Sequence, residues 1–322
     1  MRKSTTMIGL GIGGILILLG ALLLVIVMSA NQWNFMKLSN VSYETNTYEL
    51  EDDFENILIK GNTADIQFLK SEDGKTKVVC HENAKTPHLT QIKDGTLFIE
   101  ITDNRKWYEH LSIFNFDHTK ITVCLPEGTY GDLNIKTTTG NVTLPKEFTF
   151  ENVSTRVSTG SIACSSSATN LLQLRTSTGK ISISDLTAGR IDLASTTGGM
   201  IASKITCTGE MRAEVTSGGA IFTDIACKSL LSEGDTGNLT LKNVIAEAKF
   251  DIERSTGNVK MEKCDAAELF IETDTGSVKG SLLTKKIFLV ETDTGSIDVP
   301  KSVSGGRCEI ETDTGNIKIT VG

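Results

Sequence analysis

A short pattern of apolar and polar positions repeats along the chain after residue 130. Each copy is centred on a Thr-Gly or Ser-Gly pair. Apolar residues stand mostly seven and five positions before the glycine and two and four positions after it, with polar residues between them. Such alternation is typical of β-strands that bury one face. The glycines recur at an almost constant interval and are Gly140, Gly160, Gly179, Gly198, Gly218, Gly237, Gly257, Gly276, Gly295 and Gly315.

A constant repeat of about 20 residues favours stacked coils over a series of hairpins, although hairpins would show the same alternation. The sequence therefore predicts an all-β fold, a parallel β-helix (β-solenoid) of about ten 19–20-residue coils over residues 131–322. Equal positions of successive coils should lie about 4.8 Å apart. Glycine suits the corner because it tolerates positive φ. In this register we expect Ile271 and Ile297 to be buried and Lys279 to be exposed.

Residues 47–130 lack the repeat but contain several strand-like segments. A solenoid needs its first edge covered, so we expect this segment to form an N-terminal β-rich cap that continues into the coils. Residues 61–68 resemble a degenerate coil, because an apolar-polar-apolar stretch at residues 66–68 follows a polar corner.

The N-terminal residues follow a different pattern. No charged residue lies between Lys3 and Lys37, and an apolar run long enough to cross a bilayer begins at Met7. We expect a short cytoplasmic tail at residues 1–6, a transmembrane signal-anchor helix at 7–29 that contacts membrane lipid, and a juxtamembrane segment at 30–46. The positive-inside rule then places everything after the helix outside the cell, in a single-pass protein of the cell membrane.

The alternative for this N-terminal run is a cleaved signal peptide, whose apolar region is usually shorter, at about 7–15 residues. Trp33 and Phe35 follow the run, where aromatic rings favour the headgroup layer. These features favour an uncleaved anchor.

Charge narrows the range of partners. The chain has 32 Lys and Arg against 40 Asp and Glu, a net charge of −8. Nucleic-acid binding needs clustered cations to contact phosphates, so we expect no nucleic-acid partner.

Acidic residues recur at outward-facing positions of the last coils. Glutamate stands four positions before the glycine in six successive coils, from Glu214 to Glu311, and aspartate stands two positions before it in four of them. If the coils stack in chain order, the last three bring six carboxylates together. Solvent and Lys260, Lys279 and Lys318 on the next strand would screen their repulsion; alternatively, the carboxylates form a weak Ca²⁺ site. The candidate metal ligands are Glu272, Asp274, Glu291, Asp293, Glu311 and Asp313.

Patterns typical of catalysis fit the chain poorly. Asp-Thr-Gly, the aspartic-protease motif, occurs at Asp235, Asp274, Asp293 and Asp313, but that chemistry needs two such loops facing each other. Repeat corners all point the same way. A carbohydrate-active enzyme should interrupt the repeat with long insertions, and the intervals between the corner glycines contain none. We therefore expect no enzyme and no catalytic residues.

Histidine and cysteine offer no recognisable metal motif. The seven cysteines stand mostly at inward positions and are expected to be buried thiols, with a bridge between Cys207 and Cys227 as an alternative. The histidines lack the spacing of common zinc sites, so we expect no metal there. They all lie in the predicted cap and are His81, His88, His110 and His118.

The anchor, the strand-rich cap and the serial Ser/Thr/Asp-Thr-Gly coils together resemble the bacterial extracytoplasmic putative-adhesin family of the membrane-anchored Gram-positive type, a domain of unknown function. Residues 264–269, 280–283 and 285–286 are the most typical of it. The resemblance implies a repeat-built β-helix outside the membrane. It implies little about activity, because fold does not determine function.

The favoured functional hypothesis is a non-catalytic, adhesin-like surface module that binds a surface, a polysaccharide or a protein ligand. The alternative is an envelope sensor or regulatory module that works through a membrane partner. A carbohydrate-active β-helix enzyme is the least favoured of the three.

Overall fold

The computed structural model describes residues 2–30, 32–33, 42–102 and 119–322. The predicted juxtamembrane segment and cap are therefore described in part, and Phe35, His110 and His118 lie outside the described residues. The chain forms two compact units. The first comprises Met1–Glu44, Asn83–Thr86 and Asp103–Asp117, and the second comprises Thr45–Glu82, Pro87–Thr102 and His118–Gly322.

The first unit contains a single described helix, α1, which spans Arg2–Ala30. It begins earlier than the predicted span of residues 7–29. Its stretch Gly13–Ala30 has a mean hydropathy of 2.7 and is long and apolar enough to cross a membrane, although a signal sequence would pass the same test.

The described part of the chain contains 23 β-strands, numbered here in chain order. The strands that precede the regular coils are β1 (Tyr43–Leu50), β2 (Asn56–Lys60), β3 (Asp65–Lys70), β4 (Thr76–Asn83), β5 (His88–Lys93), β6 (Thr96–Ile101) and β7 (Lys120–Leu125). The strands of the coils are β8 (Gly128–Thr139), β9 (Val142–Leu144), β10 (Phe148–Thr159), β11 (Ile162–Cys164), β12 (Ser167–Thr178), β13 (Ile181–Thr197), β14 (Met200–Ser217), β15 (Ala220–Thr236), β16 (Leu239–Thr256), β17 (Val259–Cys264), β18 (Glu268–Thr275), β19 (Val278–Leu282), β20 (Lys286–Thr294), β21 (Ile297–Asp298), β22 (Gly306–Thr314) and β23 (Ile317–Val321).

The coil strands pair in parallel, and the predicted parallel β-helix is confirmed. Each residue before the corner lies beside its equivalent in the next coil: Val153, for example, pairs with both Leu133 and Leu172. Inward positions form one continuous apolar core of fully buried side chains. Alternate residues face solvent, which is the burial pattern that the sequence predicts.

The glycine corner fixes this register. From Gly140 to Gly257 the corner glycines have φ between 130° and 157°, a region that favours glycine. A Cβ added to Gly160 would lie 1.9 Å from the carbonyl oxygen of Gly140, far inside contact distance. Hydroxyl groups inside the coils bond to the same corner; the Thr176 hydroxyl, for example, donates to the Gly160 carbonyl at 2.9 Å.

At the N-terminal end, one coil is inserted out of chain order. Strands β2 and β3 form the predicted degenerate coil, and Ile66 pairs with Val142 of the first regular coil. On its other side this coil is covered by β6 and β7, which come later in the chain. Strands β4 and β5 add antiparallel pairs to β7 and β6, respectively.

At the C-terminal end, the stacking order also departs from the chain order. Strand β22 of the last coil pairs with β18 on one side and with β20 on the other. Strands β23, β19 and β21 repeat this arrangement. The expectation that the last three coils stack in sequence is therefore wrong, because the final coil lies between the two that precede it and the Gly295 coil forms the end.

A buried ion pair joins the two coils on either side of the inserted last coil. The Nζ of Lys286 lies 2.7 Å from Oδ1 of Asp265, and Lys286 pairs through its backbone with Gly306. Gly306 has no side chain, and a Cβ there would lie 1.8 Å from the carbonyl oxygen of Ala267. Glycine at this position lets the backbones of the last coil and of the Ala267 coil approach closely, and the lysine side chain crosses the last coil to reach Asp265.

The inserted coil also changes which positions are buried. Ile271 is only 3% exposed, as predicted, and Lys279 is exposed. Ile297 is 46% exposed, and its predicted burial is wrong. Ile297 belongs to the end coil, so no further coil covers it.

We expect Ile271→Asp to lower the free energy of unfolding by more than about 3 kcal/mol, because it places an unpaired charge in the core. Ile297→Asp should lower it by less than about 1 kcal/mol, as expected for a surface change. Thermal or denaturant unfolding of both variants, with Lys279→Asp as an exposed control, measures the difference. Equal losses at residues 271 and 297 would contradict the stacking order.

Candidate functional site

One outward position forms a continuous row of ionisable side chains along the coils. This row, which we call the charged strip, occupies the position four residues before each corner glycine and its equivalent in the first coil. Parallel register places every member beside the next. In spatial order its members are Lys60, Lys136, Arg156, Arg175, Ala194, Glu214, Glu233, Glu253, Glu272, Glu311 and Glu291.

The acidic half of the strip consists of six glutamates. Glu311 lies between Glu272 and Glu291, because the last coil is inserted there. In the neighbouring outward column, the threonines flanking Asp313 pair with those flanking Asp274 and Asp293, so Asp313 also occupies the middle rung. The six candidate carboxylates are thus brought onto three adjacent coils, in an order different from the one expected.

The carboxyl group of Glu272 lies among other carboxylates that repel its charged form. Partial burial raises the pKa of this carboxyl group, and the neighbouring Glu253, Glu311, Asp274 and Asp313 raise it further. A raised pKa means that the charged form is disfavoured. A cation placed among these groups would therefore be attracted.

The lysines expected to neutralise these carboxylates do not pair with them. Lys318 on β23 forms an ion pair at 2.9 Å with Asp298 on the adjacent strand β21. Within residues 119–322, no ion pair joins Lys260 or Lys279 to the acidic half. Among the described residues, none of these three lysines therefore forms an ion pair with a glutamate of the acidic half.

A different cation lies behind the middle of the acidic half. Arg254 occupies an inward position and is only 3% exposed, although this position is apolar or hydroxylated in most other coils. Its Nη2 donates a 2.6 Å hydrogen bond to the Ser232 hydroxyl, and its Nε has no partner among the described residues. Burial lowers the pKa of Arg254 to about 10, while Glu233 acts to raise it.

The space for this arginine explains two irregularities of the repeat. Ser232 replaces an apolar inward residue and accepts the guanidinium hydrogen bond. Gly234 stands directly beside Arg254, and a Cβ there would lie 2.2 Å from Nη1 of the arginine. Arg212 adds an outward ion pair to Glu233 at 3.0 Å. The glutamates of the middle coils are thus partly neutralised, unlike those of the last three.

The basic half of the strip is paired at two of its four cations. Lys60 contacts Glu100 at 2.8 Å, and Arg175 contacts Asp192 at 2.7 Å. Lys136 and Arg156 are exposed, and no carboxylate of the described residues lies within ion-pair distance of either. Two adjacent cations therefore face solvent without an intrachain partner in the described part of the chain.

Two shallow hollows lie along the strip. The first, of about 300 Å³, is lined by Arg156, Arg175, Ala194 and Glu214 among others. The second, of about 200 Å³, continues from Glu214 past Glu233 to Glu253. The first hollow has cations at one end and Glu214 at the other, on opposite sides of Ala194, whereas the second is bordered by carboxylates. The two hollows meet at Glu214.

A buried cluster near the N-terminal end escaped the sequence analysis. Ligand-type atoms of Cys80, Glu82 and His88 lie within 4.8 Å of one another, and all three residues are buried. Glu82 accepts hydrogen bonds from Asn46 at 2.8 Å and from the backbone N–H of His88 at 2.7 Å, and its Oε2 lies 2.5 Å from Nδ1 of His88. These bonds satisfy the carboxylate, and Nε2 of His88 has no partner among the described residues.

The alternation of inward and outward positions along β4 is the sequence signal that could have revealed this cluster. Cys80 and Glu82 occupy inward positions two residues apart on one strand, and a glutamate at such a position needs a partner. No spacing motif indicates His88, which begins the next strand. The seven cysteines of the chain are all free thiols, including the adjacent Cys207 and Cys227.

Burial makes the cysteine thiols poor nucleophiles at neutral pH. Burial raises the pKa of the Cys164 and Cys227 thiols to about 12, so little reactive thiolate forms at neutral pH. The four Asp-Thr-Gly corners stack along one edge rather than facing each other. The aspartic-protease arrangement of two opposed loops is therefore not formed by these corners.

Comparison with known proteins identifies the family. Residues 54–220, more than half of the chain, match the model of the Toastrack DUF4097 family. No curated protein matches the chain in sequence.

The solved structures to which the chain is similar include three putative adhesins. One from Parabacteroides distasonis is 12% identical with a TM-score of 0.48, covering 87% of this chain and 98% of that one. One from Parabacteroides merdae is 10% identical with a TM-score of 0.48, covering 88% and 98%. One from Bacteroides fragilis is 18% identical with a TM-score of 0.38, covering 88% and 98%. Similarity at this level carries no functional information.

Proposed function

The chain belongs to the Toastrack DUF4097 family, and we propose that it is a membrane-anchored, extracellular binding module of the adhesin-like kind, without catalytic activity. The charged strip is the observation that carries this proposal. An outward-facing row of ten ionisable side chains, interrupted only at Ala194, is costly to maintain because like charges on adjacent strands repel. A binding surface gives such a row a use.

The uniformity of the coils supports binding over catalysis. The intervals between the corner glycines are nearly equal from Gly140 to Gly315, so no long loop builds a walled groove on the strip. The two hollows along the strip are shallow and polar and suit contact with an extended or flat partner. The apolar helix α1 supports attachment to a membrane, with residues 7–29 in contact with lipid.

Within this role, the last three coils are proposed to bind Ca²⁺ weakly. Glu272, Glu311 and Glu291, with Asp274, Asp313 and Asp293 beside them, supply carboxylate oxygens, which are the ligands that Ca²⁺ prefers. The raised pKa of Glu272 supports this proposal, because a bound cation would relieve the repulsion that raises it.

Protease treatment of intact cells or protoplasts tests the anchoring. We expect digestion of the region after α1, while the helix stays in the membrane fraction. A chain that is protected until the cells are lysed would contradict the extracellular assignment. A soluble form that begins near Ala30 would show that the helix is a cleaved signal instead.

Thermal unfolding of the full chain in detergent tests calcium binding. We expect millimolar CaCl₂ to raise the melting temperature more than NaCl of equal ionic strength, because binding to the folded state alone stabilises it. Affinity should be on the order of 10⁻⁴ to 10⁻³ M, as in other extracellular calcium modules.

Variants locate the calcium effect. Glu311→Gln with Asp313→Asn removes the middle rung and should abolish the effect. Glu233→Gln with Asp235→Asn changes the same two positions on a coil that Arg212 and Arg254 already neutralise, and it should leave the effect intact. Calcium stabilisation no greater than that of NaCl would show that the acidic coils are only a solvated face. Equal loss in both variants would show that the calcium effect does not come from the last three coils.

A further inference from the structure

The charged strip has opposite signs on its two sides of Ala194. Four cations lie on one side, at Lys60, Lys136, Arg156 and Arg175, and glutamates alone occupy the other. Successive members are about 4.8 Å apart along the solenoid. The first four positions on either side of Ala194 therefore match in distance and oppose each other in charge.

We propose that the strip is a self-association surface on which a second copy of this chain binds in antiparallel orientation. A twofold axis that lies in the plane between the two faces at Ala194, perpendicular to the length of the strip, brings each cation opposite a glutamate of the other copy. Arg175 then faces Glu214, Arg156 faces Glu233, Lys136 faces Glu253 and Lys60 faces Glu272. Each contact occurs twice, as in any isologous interface.

Charge complementarity is the reason to choose a second copy over another partner. Lys136 and Arg156 have no intrachain carboxylate within ion-pair distance among the described residues, and Glu253 has no cation. In the chain alone, these groups meet only like charges on the neighbouring rungs of the strip. Pairing two copies removes both repulsions at once and needs no counter-charge beyond what the chain itself supplies.

The shape of the face fits the same arrangement. The first hollow extends from Arg156 and Arg175 across Ala194 to Glu214, and the second continues from Glu214 to Glu253. Long side chains of one copy can enter these hollows beside oppositely charged side chains of the other. Ala194 is small and half-buried, so it does not hold the two faces apart at the axis.

The match has a defined end. Beyond Lys60 lies Glu100, which would face Glu311, and these two carboxylates do not attract each other. Nine rungs, from Lys60 to Glu272, therefore make the contact, over about 38 Å. Exposed ion pairs contribute little individually, so the pairing is expected to be weak in dilute solution, sensitive to salt, and favoured by the high local concentration of anchored copies.

Ala194→Cys tests the pairing in the full chain in mild detergent. Only the residue on the axis faces its own counterpart, across about 10 Å between the two sheet faces. A short bis-maleimide should then link two copies into a dimer, and 0.5 M NaCl should reduce the yield. Ser255→Cys, on the coil of Glu253, would lie about 29 Å from its counterpart and should not link. The unsubstituted chain controls for its native thiols.

Charge reversal supplies the decisive comparison in the Ala194→Cys background. Lys136→Glu with Arg156→Glu makes the strip almost wholly acidic, and Glu233→Lys with Glu253→Lys makes its centre basic. Each variant alone should give at least fivefold less dimer. An equimolar mixture should recover the parental yield, because the two altered strips are complementary to each other.

The proposal is overturned if the parent gives no dimer, if Ser255→Cys links as well as Ala194→Cys, or if the reversed variants link as well alone as in mixture. The pairing rests on the proposed binding role, but a failure of the pairing can be distinguished from a failure of that role. Protease accessibility does not depend on pairing, and helix α1 is the same in every variant.

Discussion

The close approach of backbones at the glycine corner is the constraint on which the rest of the structure depends. A carbonyl of one coil occupies the space that a Cβ in the next would need, 2.0 Å away at Gly179, for example. Only glycine fits, and it therefore locks the register of the whole coil. Because side chains alternate along each strand, that register decides which residues enter the core and which form outward columns. Every property of the charged strip follows from this alignment.

Within the locked register, a change in the interior is matched by its neighbours on adjacent coils. Arg254 enters the core because Ser232 and Gly234 beside it provide an acceptor and space. Gly306 lets the last coil approach the Ala267 carbonyl, and Lys286 crosses that coil to pair with Asp265. The same rule operates outside, where one repeated position becomes a row of cations and then a row of carboxylates. Some members of that row have ion-pair partners within the chain, and others, such as Lys136 and Arg156, have none among the described residues.

The repeat, its strands and most of the core could be predicted because a nearly constant period leaves little freedom for the register. The order in which the coils stack could not be predicted, because the period is the same whichever neighbour a coil pairs with. Insertion of the last coil depends on particular residues, Gly306 and the Lys286–Asp265 pair, that carry no repeat signal. Ile297 was misassigned for this reason. The acidic column was visible in the sequence, whereas the buried Arg254 behind it and the cluster around Glu82 depend on contacts between strands.

The central claim is that the corner register, with its last coil inserted, builds the strip in the stated order. Cysteine pairs at the outward column of β19, β23 and β21 test it directly. Lys279 lies beside Lys318, at a Cα separation of about 4.8 Å that a disulfide can span, and Lys318 lies beside Asp298. We predict that Lys279→Cys with Lys318→Cys forms an intramolecular disulfide under mild oxidation, whereas Lys279→Cys with Asp298→Cys, about 10 Å apart, does not. Bridging of the second pair and not of the first would contradict the account.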